Sequence, residues 1–197
     1  MTIDEPRPRV AIRREQVADA ARDLFTRYGF HATGIAQIAE ASGIKVQQIY
    51  RDFCNKEGIV AAIVQRDVSE LFAEVSQISM RTGGGRRELV EWIRLMLVSM
   101  MSKDHPPLFL EIFAEASRNP RIAAILHEID LQARTALTDA FGAFAARDAD
   151  PARLALVTDL FLTCVGGLSQ RLVAHPEIDT ERLAEMLSIV IVDQIPW

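Results

Sequence analysis

The chain has 197 residues, of which 49% are hydrophobic and 25% are charged, an ordinary globular composition. Its net charge of −5 argues against a protein that coats nucleic acid through bulk positive charge, although a local basic face is still allowed. Cys54 and Cys164 lie far apart, which argues against a disulfide framework and fits a reducing cytoplasm. The longest apolar run falls short of the ~20 residues that cross a bilayer, so the sequence predicts a cytoplasmic protein outside the membrane.

The spacing of apolar residues predicts an all-α fold. The residues that break helices are sparse, with 10 glycines and 8 prolines, and aromatic residues make up only 7% of the chain. No strand-like alternation of apolar and polar residues stands out. After a predicted flexible arm over residues 1–12, apolar side chains such as Val17, Ala21, Leu24 and Tyr28 recur at three- and four-residue steps. We predict nine helices: three short ones, a long connector and five longer ones near 86–102, 107–117, 121–146, 151–174 and 180–194.

Local signals predict where these helices begin and end. Gly29 and Gly43 are typical of helix C-termini, while Thr33 and Asn55 are typical N-caps of the second and fourth helices. A glycine-rich break follows at residues 82–85, and Asp150-Pro151 predicts a strong helix start. The sequence suggests two domains, residues 1–55 and residues 56–197.

The segment 33–53, with the sequence TGIAQIAEASGIKVQQIYRDF, predicts a helix-turn-helix. Residues 1–60 carry a net charge of +1 and the remainder −6, so a surface that meets an anion is expected in the first 60 residues. On a helical wheel Val46, Ile49 and Phe53 share an inward face. Gln47, Gln48, Tyr50 and Arg51 then point outward, where they suit base edges and phosphates.

These residues resemble the TetR family of bacterial regulators. The resemblance rests on positions in register over about residues 14–60: Ala20, Leu24-Phe25, Gly29-Phe30, Thr33-Gly34-Ile35, Ile38-Ala39, Ala41, Gly43-Ile44, Ile49-Tyr50, Phe53 and Lys56-Glu57. It implies an all-helical homodimer, usually a repressor, that leaves a palindromic duplex operator when a small molecule binds the C-terminal domain. Carried over by position, the implied DNA contacts are Thr33, Lys45, Gln47, Gln48, Tyr50, Arg51 and Lys56.

Three positions depart from the family pattern, one of them Val46, where the family often has a basic residue or proline. Lys45 stands where the family often has a capping serine, and its side chain cannot cap the recognition helix. Asp52 stands where the family often has an aromatic residue or histidine. An acid there faces phosphate poorly, so we expect it to pair with a neighbouring cation.

The segment 107–120 resembles the BetI-type C-terminal domains. An effector pocket needs apolar walls, so a largely apolar effector is expected. The pocket candidates are Trp92, Met96, Met100, Phe109, Phe113, Phe141 and Phe161, which could equally be plain core. Glu111 and Glu115 share a helix face and could hold a cationic ligand or a metal, although a solvated face explains them as well.

The last two long helices predict a dimer interface. One stripe runs through Leu154, Val157, Phe161, Val165, Leu168 and Leu172, and the final helix offers Leu183, Leu187, Val190 and Ile191. Two such helices from each subunit would form a four-helix bundle. The alternative is that these residues form an intramolecular core.

Two other classes of function are alternatives to DNA binding. One is a sensing or scaffold protein whose helix-turn-helix binds no DNA. The other is an enzyme, which finds no support in a nucleophile–base pair, metal-ligand spacing or phosphate-binding loop. The sequence therefore predicts a protein without catalytic residues, metal or cofactor.

Overall fold

The computed structural model describes residues 9–79, 85–101 and 106–197, and within these ranges it confirms the all-α prediction. The described residues form nine helices in chain order. These are α1 (Arg9–Tyr28), α2 (Ile35–Ser42), α3 (Val46–Phe53), α4 (Lys56–Ser79), α5 (Arg86–Met100), α6 (Pro106–Ala116), α7 (Pro120–Gly142), α8 (Pro151–Ala174) and α9 (Thr180–Val192).

Two helix boundaries differ from the prediction by more than two residues. Residues 9–12 belong to α1 rather than to a flexible arm, and residues 1–8 lie outside the described residues. The predicted break at 82–85 also falls outside them, except for Gly85, which is the N-cap of α5. Helix α7 ends at Gly142 instead of near 146, because the Phe144 amide donates a turn-type hydrogen bond to the Phe141 carbonyl at 3.1 Å.

Several predicted caps are confirmed. The Asn55 side chain accepts a hydrogen bond from the Gly58 amide at 2.8 Å, and the Asp150 side chain accepts one from the Ala152 amide at 3.0 Å. Gly29 ends α1 with a φ of 82°, a left-handed conformation that glycine adopts without a Cβ clash. The bend between α3 and α4 is tight, since a Cβ on Gly58 would overlap the Phe53 carbonyl oxygen.

The chain separates into two compact units. The described part of the first comprises residues 9–67 together with 111–125, and that of the second comprises the remaining segments. The division at residue 55 stays a prediction about function. The compact units do not follow it, because the start of α4 and the segment 111–125 cluster with α1–α3.

In the first unit, charged pairs tie α1 to the helices that pack on it. Arg13 holds the Asp52 carboxylate with two hydrogen bonds, of 2.6 Å from Nε and 3.1 Å from Nη2. Arg66 of α4 forms an ion pair with Asp19 of α1 at 2.6 Å, and Arg22 of α1 forms one with Asp67 of α4. The expectation that Asp52 pairs with a neighbouring cation is confirmed.

The second unit has one continuous apolar core built from α5, α7, α8 and α9. Its centre is aromatic, with Trp92 and Phe161 edge-on to Phe141 at centroid distances of 6.2 and 6.1 Å. By length and composition alone, α8 is the one described helix that could cross a membrane. Its stripe through Leu154, Val157, Phe161, Val165 and Leu168 is buried in this core, as in a core helix.

The Arg13–Asp52 pair predicts a pH-dependent stability. Hydrogen bonding from Arg13 holds the pKa of the Asp52 carboxyl below its usual value. The stabilisation is therefore present above the pKa of an unfolded aspartate and lost as the pH falls through the lowered native pKa. We expect Asp52→Asn to lower the denaturant midpoint at pH 7, and the gap to the parent chain to close in acid.

The control for this prediction is Asp23→Asn, which neutralises an exposed aspartate on α1. That variant should follow the parent chain across the pH range. Equal midpoints for Asp52→Asn and the parent at pH 7, or a gap that stays constant into acid, would contradict the assignment.

Candidate nucleic-acid interface

The turn between α2 and α3 reverses the chain through a glycine and a serine. Gly43 has a φ of 69°, as the sequence predicted, and its amide donates to the Glu40 carbonyl at 3.4 Å. The Ser42 hydroxyl donates to the Ile38 carbonyl at 2.7 Å and accepts from the Ile44 amide at 3.3 Å. These bonds satisfy the end of α2 locally, so α3 can follow after three residues.

The rotation of α3 is set by two buried side chains. Ile49 and Phe53 are 1% and 5% exposed, as predicted. Val46, predicted to face inward with them, is 38% exposed, so that prediction is wrong. It is the first residue of α3, and at a helix end a side chain can share a face with core residues and still lie beyond the core.

The opposite face of α3 carries the polar residues that the sequence singled out. Lys45, Gln47, Tyr50 and Arg51 are exposed and Gln48 is half-buried. The tyrosine ring is 51% exposed although it is a large side chain. Five of the seven predicted contacts thus lie within seven consecutive residues, where they present amide, hydroxyl, ammonium and guanidinium groups.

Lys45 is the N-cap of α3 by its backbone alone. Its carbonyl accepts from the Gln48 amide at 2.8 Å and from the Ile49 amide at 3.2 Å, while its side chain makes no capping hydrogen bond. The expectation for this position is confirmed. Lys45 is exposed at the start of α3, where the amide groups of the first helical turn favour an anion.

Thr33 lies elsewhere than predicted. It is 1% exposed, and its hydroxyl donates to the Gly29 carbonyl at 2.9 Å, at the end of α1. The N-cap of α2 is Gly34, whose amide donates to the Gln37 side chain at 2.7 Å. The prediction that Thr33 caps α2 is therefore wrong, because the hydroxyl is used by the preceding helix.

Lys56 is turned toward the protein. Its Nζ donates to the Thr33 carbonyl at 2.9 Å and also to the Phe30 carbonyl, and it lies 4.1 Å from the centre of the Phe30 ring. Burial lowers the pKa of this ammonium, while the Glu57 and Glu115 carboxylates partly oppose the shift. Lys56 thus joins the start of α4 to the segment between α1 and α2.

Two arginines that sequence reasoning did not single out hold the end of α3. The Arg14 guanidinium lies 4.3 Å from the centre of the Phe53 ring and donates to the Asp52 carbonyl, while Arg13 takes the Asp52 carboxylate. Arg13 and Asp52 are 39 positions apart in the chain, so no local pattern could have paired them.

Most of the predicted effector residues are packed in or against the core of the second unit. Trp92, Met96, Phe141 and Phe161 are buried in the core of the second unit, and Met100 packs against that core. Phe109 is half-buried, and Phe113 is 50% exposed on α6. Two shallow depressions on the described surface, one along α7 and one between α5 and α9, are lined by other residues.

Family profiles match most of the chain. The profile of bacterial regulatory proteins of the tetR family matches residues 17–63, and that of the C-terminal domain of BetI-type transcriptional repressors matches residues 85–196. The second match alone covers more than half of the chain. Both resemblances found in the sequence are confirmed.

Curated relatives match about half of the chain. The chain is 29% identical to the Escherichia coli regulator UidR over 118 residues, which is 57% of this chain and 56% of UidR. It is 31% identical to the E. coli repressor ComR over 101 residues, 51% of this chain and 48% of ComR. The chain thus spans about half the length of the curated relatives that it matches.

Solved structures show the same fold over nearly the whole chain. A TetR-family regulator from Mesorhizobium loti superimposes with a TM-score of 0.76 at 17% identity, covering 94% of this chain and 96% of that one. GusR of Salmonella enterica does so with a TM-score of 0.75 at 21% identity, covering 96% and 100%. Because both profiles and the fold agree, the chain belongs to the TetR family of transcriptional regulators and carries the family's DNA-binding helix-turn-helix.

Proposed function

We propose that this regulator is a cytoplasmic homodimeric repressor that reads a palindromic operator through α3 and is released by a small-molecule effector. The observation that carries the proposal is the exposed polar face of α3, from Lys45 to Arg51, on a helix whose rotation is fixed by Ile49 and Phe53. A helix presented in this way suits the major groove.

Each exposed side chain has a role that its chemistry supports. The Gln47 and Gln48 amides can bond the N6/N7 edge of adenine, and Arg51 can bond guanine or a phosphate. The Tyr50 hydroxyl and the Lys45 ammonium suit phosphate oxygens. We assign Thr33 and Lys56 to support of the motif rather than to DNA contact, because their polar atoms already bond within the protein.

The dimer interface on α8 and α9 needs a different set of residues from the one predicted. The predicted α8 stripe lies in the core, and of the predicted α9 residues only Val190 is among the exposed large hydrophobics. Leu156 is 62% exposed and Met186 60%, and a Cβ on Gly167 would meet open space. We propose that these exposed positions face the second subunit.

The effector is proposed to be largely apolar and to enter the second unit. The support is the apolar core around Trp92, Met96 and Phe141, together with the match to the BetI-type C-terminal domain. Since these side chains are closely packed, binding would require the core to open. The repressor assignment follows the profile that matches residues 85–196.

Selection of duplexes from a random pool with the purified protein tests the proposal. We expect one enriched sequence with two inverted half-sites spaced by about one helical turn, ~34–36 Å. Binding without sequence preference would instead favour the sensing or scaffold protein whose helix-turn-helix does not read DNA.

Gln47→Ala is expected to relax base preference at one position in each half-site. Loss of a bidentate amide contact to adenine costs about 1–3 kcal/mol of discrimination. The measurement is repeated duplex selection with the variant, and Gln132→Ala, which alters a half-buried glutamine of α7, is the control. An unaltered selected site for Gln47→Ala would exclude base readout by this residue.

Lys45→Ala is expected to weaken operator and nonspecific binding equally. If Lys45 neutralises one phosphate, the slope of log affinity against log salt falls in magnitude by about 1. Arg87→Ala removes an equally exposed positive charge from α5 and should leave the slope unchanged. A Lys45→Ala slope equal to that of the parent chain would rule out the phosphate contact.

Leu156→Glu combined with Met186→Glu is expected to yield a monomer, because two buried charges would face their copies across the interface. Light scattering after size exclusion measures the mass. Leu95→Glu, at a 52% exposed leucine of α5, is the matched control and should stay dimeric. A double variant that keeps the dimer mass would contradict the proposed interface.

A further inference from the structure

Two carboxylates of α6 lie in the first compact unit, together with the helix-turn-helix. Glu111 and Glu115 lie one helical turn apart, and both contact the segment that joins α1 to α2. The sequence suggested either a cation-binding pair or a solvated face for them, and neither describes these contacts. The segment 111–125 clusters with α1–α3 rather than with the second unit.

Glu111 holds the peptide that follows α1. Its Oε1 accepts a hydrogen bond from the Phe30 amide at 2.6 Å. It also lies 3.0 Å from the position that a Cβ on Gly29 would occupy, so the carboxylate sits directly over the turn. The Gly29 amide still bonds back to the Phe25 carbonyl of α1 at 2.9 Å, whereas the Phe30 amide takes the Glu111 carboxylate, which is a strong acceptor.

Glu115 is a buried carboxylate surrounded by donors. Its side chain is 3% exposed, and its Oε2 lies 2.8 Å from His31 Nε2. From the end of α6 and just beyond it, the carboxylate accepts from Asn119 Nδ2 at 3.2 Å and from Arg118 Nε at 3.3 Å. These bonds satisfy a charge that would otherwise be costly to bury, and they place the carboxylate against the turn.

The peptide groups of Phe30 are therefore held from two sides. Glu111 takes its amide, and Lys56 takes its carbonyl. Four residues later Gly34 caps α2, and α2 leads through Gly43 into α3. A shift of this turn would move the start of α2, and with it the orientation of the exposed face of α3.

We propose that Glu111 is a positioning residue for DNA binding, with Glu115 in a supporting role, although neither touches DNA. This inference rests on the proposed function. It assigns to the C-terminal part of the chain an acceptor that the helix-turn-helix needs for full operator affinity.

The test compares two substitutions at one position. Glu111→Ala removes the acceptor, and the dissociation constant for the selected operator should rise about tenfold, as loss of one charge-assisted hydrogen bond implies. Glu111→Gln keeps an oxygen acceptor and should stay within about threefold of the parent chain. Glu128→Ala removes an exposed carboxylate from α7 and should leave affinity unchanged.

Amide hydrogen exchange at Phe30 reports the positioning directly. The Phe30 amide should lose protection in Glu111→Ala and keep it in Glu111→Gln. If Glu111→Ala does not fold, Glu111→Asp carries the test, because it keeps the charge and withdraws the acceptor by one methylene. It should then show the same loss of affinity and of Phe30 protection.

Parental operator affinity in Glu111→Ala, or equal losses in Glu111→Ala and Glu111→Gln, would overturn the inference. If the proposed function itself fails, the parent chain shows no sequence preference in the duplex selection, a result that does not depend on Glu111. The Phe30 exchange pattern would still report whether Glu111 holds the turn in that case.

Discussion

Burial of Ile49 and Phe53 fixes the rotation of α3, and the proposed DNA surface follows from it. With these two side chains in the core, residues 45–51 can present their polar groups only outward. Arg14 stacks on the Phe53 ring and Arg13 binds the Asp52 carboxylate, so α1 holds the same end of the helix. The net charge of the chain contributes nothing to this surface. Its basis is a short row of side chains on a helix that cannot rotate.

The second support lies one helix earlier, at the turn after α1. Lys56 donates to the carbonyls of Phe30 and Thr33, and the Thr33 hydroxyl donates to the Gly29 carbonyl at the end of α1. The family resemblance places Thr33 and Lys56 among the DNA contacts, but their polar side-chain atoms form hydrogen bonds within the motif. Glu111 completes this turn from a segment 81 positions further along the chain. The helix-turn-helix is therefore not held by residues 1–55 alone.

The sequence predicted what depends on local periodicity and capping. The all-α class, the glycine turns at 29 and 43, the Asn55 and Asp150 caps and the inward Ile49 and Phe53 are all local properties. The burial of an apolar helix face and the pairing of charges also depend on which other part of the chain packs against them. Periodicity along one helix does not reveal that. The α8 stripe through Phe161 is core, Val46 is exposed at a helix end, and Arg13 pairs with an aspartate that is distant in sequence.

In the proposed function, α3 reads DNA while Lys56 and Thr33 support it from inside the protein. A structure of the full chain bound to its selected duplex tests this most directly. We expect α3 in the major groove, with the Gln47 amide at hydrogen-bond distance, ~3 Å, from a base edge. We also expect Lys56 Nζ to stay on the Phe30 and Thr33 carbonyls. A complex in which α3 lies outside the groove, or Lys56 leaves those carbonyls for a phosphate, would contradict the proposal.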